Sequence, residues 1–478
     1  MLTKLFIGGK FVPARSGRTY DVLNPADGSV LVKVSEGGAE DINAAVDAAV
    51  KAATGPWSKL HARERGKILL KIAGLIREHA EELALLECRT AGKPLGDAKD
   101  EMGLAADTFE YYGGSANKHF GETIPVANSG LDFTTREPVG VCGLIVPWNF
   151  PLVIAAWKLG PALACGNTVI LKPSPETPLT ALILAKLCAE AGLPEGVLNV
   201  VPGPGPGCGS VLVEHPAVRK ISFTGSTATG TGIMKAAANG IKRVSLELGG
   251  KSPNIVFEDA DLELCVEKSV WSVFYNAGQD CCARSRILVH RKVHDRFLNA
   301  LVARTKKFVV GHPEKKGTQI GPIISQRQHD KIIGYIAAGK AEGAKLLCGG
   351  TRPKGLPAKG HYVSPAIFGQ ADDNMSIVRE EIFGPVAAVI PFKDEDEAIR
   401  LANDSAYGLS ASLWTRDVGR VLRVTRAVQS GVISVNTSSS VHLEAPFGGF
   451  KGSGLGRELG LRALDQYSEI KNVFISNL

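Results

Sequence analysis

A chain of 478 residues is too long for one ordinary hydrophobic core, and 44% hydrophobic with 22% charged side chains is the make-up of a soluble globular protein of two or three domains. A net charge of +7, scattered rather than gathered into Lys/Arg runs with interleaved aromatics, argues against a nucleic-acid partner. The nine cysteines form no CxxC pair and the ten histidines no HExxH motif, so the chain reads as reduced, cytoplasmic and without a metal.

The N-terminal segment MLTKLFIGGKFVPA lacks the long apolar stretch of a signal peptide. The first 120 residues read as mostly helical after a short hairpin-like start. Residues 138–157 carry no charge, but Pro147, Asn149 and Pro151 interrupt them. They fit a buried strand, a tight turn and a helix start better than a membrane span, and no membrane partner is expected. From about 140 to 250, strands and helices alternate. VGVCGLIVP is a strand, PLVIAAWKLGPALACG a helix stopped by Gly166, and NTVILKP a strand. A helix follows between Pro178 and Gly192, then strands in GVLNVVPG and RKISFTGS, a helix over 228–238 and a strand in KRVSLELGG. Such alternation predicts a parallel sheet with helices on its faces. GPGPGCG (203–209) reads as a loop.

A second α/β series runs from about 251 to 440. It opens with PNIVF and a helix that carries Leu262, Cys265, Val266, Val273 and Phe274 on one face and ends at Ala277–Gly278. SRILVH, EEIFGPVAAVIPF, GLSASLWT and GVISVN follow as strands, with helices over 293–309, 394–403 and 416–429. The tail YSEIKNVFIS reads as a strand isolated from both sheets, which suits a sheet completed in a neighbouring subunit.

Five stretches carry candidate chemistry. SFTGSTATG (222–230) joins a strand to a helix. Gly225 and Gly230 let backbone approach a ligand, and free N–H groups with the helix dipole suit a pyrophosphate. The spacing is not GxGxxG, and a plain tight turn fits equally well. Lys172 in LKPSPETP ends a strand of the same sheet, where open α/β sheets bind ligands; this stretch alone favours an ordinary solvent-facing lysine. Asn149 in PWNFP is held between two prolines, so its amide either faces a developing oxyanion or makes a common turn. Glu247 in LELGGKSPN ends an apolar strand, as a general base with a raised pKa or as a salt-bridged strand end. YNAGQDCCARSR (275–286) sets Cys281 and Cys282 after Asp280 and before Arg284 and Arg286, on a connection where functional residues gather. The arginines favour a thiolate and Asp280 opposes it, while a small buried hydrophobe is the commoner role of a cysteine.

In chain order, PWNFP, LKPS, FTGST, LELGGKSPNIV, GQDCCA, EEIFGPV and PFGGFKGSGLGRELG resemble the motifs of the aldehyde dehydrogenase superfamily over essentially the whole length. The resemblance implies an α/β fold with a Rossmann-type, dinucleotide-binding parallel-sheet domain (1–122 and 141–250). A second α/β catalytic domain (251–440) holds the nucleophile. A small β element (123–140 and 460–478) serves oligomerisation into a homodimer or homotetramer. Cys281 is then the nucleophile, Glu247 the base, and Asn149 part of the oxyanion hole, with Lys158 and Glu458 in a proton path behind the base. NAD or NADP is expected against Pro147, Trp148, Lys172, Ser174, Pro175 and Glu176. Gly205, Phe223, Gly225, Ser226, Leu248 and Gly249 continue that site, and Glu381 and Phe383 complete it at the nicotinamide ribose. Pro175 stands where many NAD-using members carry a ribose-chelating glutamate, which leaves NADP open.

The resemblance places Phe150, Trp157, Tyr275, Asp280, Val441 and Phe447 in the pocket for a small-molecule aldehyde, beside the loop 438–442. The aromatics Phe150, Trp157 and Tyr275 with the acid Asp280 suit a cationic aldehyde, an aminoaldehyde or betaine aldehyde. Val441 stands where some cation-binding members place an aromatic, which favours the alternative of broad aliphatic and aromatic range. A CoA-acylating transferase is disfavoured by Glu247, and a non-catalytic nucleotide-binding relative by the intact Cys281, Glu247 and Asn149 set.

Overall fold

The computed structural model describes residues 1–439 and 441–477. Ser440, within the loop 438–442, lies outside them. Two open sheets carry most of the chain. At the centre of the first, five parallel strands lie in the order Leu198–Val200, Thr168–Lys172, Val141–Ile145, Val218–Thr224, Arg243–Glu247. The N-terminal hairpin of Leu5–Ile7 and Lys10–Val12 extends one edge, and Gly454–Leu455 extends the other antiparallel. The Val141–Ile145 and Thr168–Lys172 strands are buried throughout, as a sheet covered on both faces requires. One cover is the helix Pro151–Ala164, every residue of which is buried.

The chain winds outward from Val141–Ile145 to Leu198–Val200, then returns to lay Val218–Thr224 against the strand it began with. The order reverses between these two strands, and the loops at their carboxyl ends part there. Those loops are PWNFP and FTGST. Topology alone therefore brings Asn149 and Gly225 to one crevice.

The second sheet has seven strands in the order Lys345–Cys348, Ala366–Gly369, Val386–Phe392, Arg286–His290, Pro253–Val256, Ser410–Trp414, Val432–Val435. All are parallel except the first, which closes the edge antiparallel. Four helices, Ala39–Ala53, Ala62–Glu78, Ala80–Ala91 and Leu95–Ser115, fill the N-terminal region. No described helix is long and apolar enough to cross a membrane.

The tail strand Ser468–Ser476 joins neither large sheet, as expected; it pairs antiparallel with Gly130–Pro138 of its own chain over its full length and is an edge strand, with Ile470, Phe474 and Ile475 exposed. Two expectations need correction. The helix expected to end at Ala277–Gly278 stops at Phe274, because Asn276, Ala277 and Gly278 all take left-handed backbone (φ 50°, 56° and 70°). Gly205–Gly209, read as loop, forms a single wide helical turn that runs into the short helix Ser210–Glu214.

Candidate active site

The left-handed run at 276–278 is held by side chains rather than by helix bonds. Asn276 Nδ2 donates to the backbone oxygens of Asn149 (3.1 Å) and Gln279 (3.2 Å). Asn149 Nδ2 donates back to Gln279 O (3.0 Å), which leaves its second amide hydrogen free of that bond. Lys93 Nζ donates to Asn149 O (2.9 Å) and forms a buried ion pair with Glu101, whose other oxygen accepts from Tyr275 OH (3.1 Å). Two loops distant in sequence are thus locked face to face. Lys93 and Glu101 went unread in the sequence, because GKP and a helical glutamate carry no local signal of burial.

Cys281 follows on this connection, half-buried, beside a buried Cys282. The two thiols and the Asp280 carboxylate lie within 4.8 Å of one another. A hydrogen bond with Cys282, then burial, hold the Cys281 thiol well above the ordinary cysteine range, and Asp280 adds to this. The flanking arginines do not offset it. Arg286 is bound to the backbone oxygens of Lys251 (2.8 Å), Leu401 (2.9 Å) and Ala402 (3.0 Å). Arg284 donates to Ser412 Oγ (3.1 Å) and Cys282 O (2.9 Å). The expectation that they favour a thiolate therefore fails; they anchor backbone.

Glu247 ends its strand fully buried, and neither carboxylate oxygen has a hydrogen-bond partner among the described residues. Burial, then the nearby Glu458, push its pKa well above the carboxylate range, with Lys158 and Arg457 opposing. The salt-bridged alternative is therefore excluded. Gly448 keeps room beside it, since a Cβ there would lie 2.7 Å from Glu247 Oε1. Behind it Lys158 and Glu458 form a buried ion pair. Ser222 Oγ accepts from Lys158 Nζ (3.0 Å) and donates to Glu458 Oε1 (3.2 Å).

Two cavities meet at Cys281 and Glu247, which line both. The first, about 280 Å³, lies over the sheet reversal and is walled by Pro147, Trp148, Gly225, Ser226, Leu248, Gly249, Glu381 and Phe383. Its walls are cut for close approach. A Cβ on Gly225 would meet the Phe223 ring at 2.4 Å, and one on Gly249 would meet Glu381 Oε2 at 2.3 Å. Ser226 caps the helix Thr227–Ala238, accepting from Thr229 N (3.3 Å), so that helix begins at the cleft. Glu381 is half-buried and accepts from Gly250 N (3.0 Å). Phe383 takes left-handed backbone and stands edge-on to Trp148 at 5.2 Å. Gln328 and Lys331 complete this wall. They bind Phe383 O (2.8 Å) and Glu381 O (3.0 Å) from the helix Gln326–Ala341, which the sequence reading did not single out.

Lys172 is buried, not solvent-facing as its own stretch suggested. It donates to Pro173 O (3.0 Å), and burial pushes its ammonium pKa down. The turn beginning at Gly205 packs on it, with the Cβ position of Gly209 3.5 Å from Lys172 Cδ. Ser174 hydrogen-bonds Glu176 across Pro175. These four residues, with Gly205, lie outside the 280 Å³ cavity.

The second cavity, about 420 Å³, gathers all six expected pocket residues: Phe150, Trp157, Tyr275, Asp280, Val441 and Phe447. Phe150 stacks on Tyr275 (6.2 Å, 14°) and Trp157 packs against Phe447 (5.2 Å). Glu101, Leu104, Lys268, Trp271 and Arg284 line it as well and were not anticipated there. Asp280 is already engaged, accepting from Cys282 N (2.9 Å); burial raises its pKa, and Arg284 opposes that shift.

A cleft at a sheet reversal, where open α/β sheets bind ligands, and an apolar cavity join at one thiol and one unpaired carboxylate. The model of the Aldehyde dehydrogenase family matches residues 11–473. The chain is 47% identical over 473 residues to the mitochondrial benzaldehyde dehydrogenase of Antirrhinum majus, covering 98% of this chain and 88% of that one. It superposes with TM-score 0.98 on the NAD+ complex of an aldehyde dehydrogenase from Bacillus cereus (46% identity, 100% of this chain and 97% of that one). The same score relates it to a betaine aldehyde dehydrogenase from Staphylococcus aureus in complex with NAD+ (40% identity, 100% and 95%). The chain belongs to the aldehyde dehydrogenase family. It is an oxidoreductase that acts on aldehydes with NAD or NADP.

Proposed function

We propose that the protein converts an aldehyde with an aromatic or apolar body to the free carboxylic acid, with Cys281 as nucleophile and Glu247 as the base for water. One observation carries this reading: Cys281 and Glu247 are the two reactive groups common to both cavities, and Glu247 has no partner but what enters them. Glu247 takes the Cys281 thiol proton and passes it on toward Lys158, Ser222 and Glu458 as the sulfur adds to the aldehyde carbon, and the new oxyanion takes hydrogen bonds from the second Asn149 amide hydrogen and the Cys281 backbone N–H. One such donor is worth about 3–4 kcal/mol of barrier. NAD(P), when bound, supplies the hydride acceptor, and Trp148, Gly225, Ser226, Gly249, Glu381 and Phe383 are the residues that would hold it, with Lys172 toward the adenosine. Loss of hydride leaves a thioester on Cys281. Glu247 then takes a proton from water, the hydroxide displaces the sulfur, and the acid leaves. Lys158, Ser222 and Glu458 offer that proton an onward path.

The first sheet serves as the dinucleotide-binding domain and the second as the catalytic domain. The exposed Ser468–Ser476 edge suits pairing with a second copy. An aromatic or apolar body is favoured over a cationic one because Asp280 already accepts a backbone N–H and has Arg284 as counter-charge. Kinetics with neutral and cationic aldehydes, with NAD and NADP, with and without CoA, tests the reading. Free acid formed without CoA is expected, and strict CoA dependence would overturn it.

A further inference from the structure

Strands Val218–Thr224 and Arg243–Glu247 run side by side and parallel in the first sheet. Their Cα partners include Lys220 with Arg243, Ser222 with Ser245 and Thr224 with Glu247. Partners and alternate residues share one face, so these side chains form a single file, and all are polar. The opposite face carries Ile221, Phe223, Val244 and Leu246. A sheet covered on both sides is expected to be apolar on both. Yet Lys220, Ser222, Ser245 and Glu247 are all buried. The file starts at the base, Glu247, and ends at Arg243, which pairs with Glu469 at the surface.

Ser222, already tied to Lys158 and Glu458, also hydrogen-bonds the Tyr467 hydroxyl. Lys220 continues from there. Its Nζ lies over the Tyr467 ring, 4.8 Å from the centroid, and donates to Ser245 Oγ (2.6 Å). Ser245 Oγ donates in turn to Oε1 of the half-buried Gln466 (3.4 Å). A Cβ on Gly456 would stand 3.3 Å from both of those oxygens, so the glycine keeps that end open. Unlike Lys158, Lys220 has no carboxylate in ion-pair reach among the described residues. The titratable groups facing it are Cys142, Lys158, Glu458, Arg243 and Tyr467. Burial, ahead of all of these, brings its pKa down to about 8. Amine and ammonium are then both populated near neutral pH, which suits a group that passes protons.

We propose that this file is the outlet for the proton that Glu247 takes, and that Lys220 is the relay residue that carries it from the Ser222 cluster to Ser245 and the surface at Gln466. The proposal rests on the reading of Glu247 as the base. Glu247 passes its proton to Glu458, and Ser222 with Tyr467 hands it on to the Lys220 amine. The flexible lysine stem lets Nζ move between Tyr467 and Ser245. Ser245 Oγ takes the proton from the ammonium and releases its own hydroxyl hydrogen beside Gln466. One proton reaches solvent for each one taken, only O–H and N–H bonds change, and every group returns to its starting form.

Rapid mixing with NAD and benzaldehyde tests it. A burst of reduced cofactor reports acylation of Cys281, and the steady rate that follows needs Glu247 emptied between turnovers. Lys220→Met should keep a burst of about one equivalent and slow the steady rate about tenfold. Lys220→Arg keeps the charge but cannot lose its proton, so it should be as slow. Ser245→Ala should slow the same step by about two- to fivefold. It carries the readout alone should the Lys220 variants fail to fold. Burst and steady rate falling together, an unchanged steady rate in Lys220→Met, or recovery by Lys220→Arg overturns the proposal; the last would make Lys220 a fixed charge. Wild-type enzyme that neither turns benzaldehyde over nor acylates Cys281 overturns the reading of the base and nucleophile, and the proposal with it.

Discussion

The 280 Å³ cleft has bare backbone in its wall at two points: Gly225 and Gly249 sit where a Cβ would collide, and Phe383 turns through a left-handed residue beside them. The 420 Å³ cavity is lined from seven separated segments, at Glu101–Leu104, Phe150–Trp157, Thr224, Glu247–Leu248, Lys268–Tyr275, Asp280–Arg284 and Thr437–Phe447. A ligand held by backbone tolerates few substitutions but little redesign, so one cofactor site serves a whole family. A ligand held by side chains can be re-chosen residue by residue. The two regions share Phe150, Ile154, Thr224 and Leu248 as common wall, and at Cys281 and Glu247 in that wall chemistry, not specificity, sets the residue.

The sharpest way to break that comparison is at the junction. Cys281→Ser should lower kcat by about a thousandfold or more with every aldehyde, since the thiolate is both nucleophile and leaving group. Cys282→Ala, by contrast, should leave turnover within a fewfold; equality of the two losses would misplace the nucleophile. One step out, Asn149→Ala should cost about 10²–10³ in kcat. Lys93→Met should destabilise the fold by about 3–5 kcal/mol, because it leaves Glu101 buried without its partner. Denaturant unfolding reads the second, and a loss confined to kcat would contradict it.

The base gives a pH test with a defined sign. Burial raises the Glu247 pKa in the folded chain, so the native state binds the extra proton. Its stability contribution is present at low pH, below the unfolded carboxylate value of about 4.3, and fades as pH rises through the folded value. Glu247→Gln should therefore stabilise the protein above that value while slowing deacylation, and the wild-type deacylation rate should rise with pH through an inflection above the carboxylate range. Unchanged thermal stability across pH would show Glu247 to be solvated. Smallest of all, Pro175→Glu should shift the NAD to NADP preference toward NAD with kcat little altered, because it adds charge only at the adenosine end.

The cleft was legible because its residues sit in contiguous runs whose types announce their use. FTGST follows a strand and opens a helix, and PWNFP interrupts an apolar run. The cavity was legible only where a pocket residue neighbours such a run, as Phe150, Asp280 and Phe447 do. Glu101, Lys268 and Arg284 are ordinary surface types in sequence, and only the fold decides that Glu101 and Arg284 are buried. Lys172 shows the same limit in reverse: a strand-end lysine looks solvent-facing until the Gly205 turn is laid over it. The left-handed run at 276–278 escaped because Asn276 and Ala277 continue a helical pattern, and its cause lies 127 residues away, in the bond to Asn149 O.

Mass spectrometry of the Glu247→Gln enzyme mixed with NAD and benzaldehyde tests the central claim most directly. One equivalent of reduced cofactor should form in a burst, and a benzoyl group should sit on the Cys281 peptide. An acyl group on Cys282, or steady turnover with no acylated peptide, would contradict it.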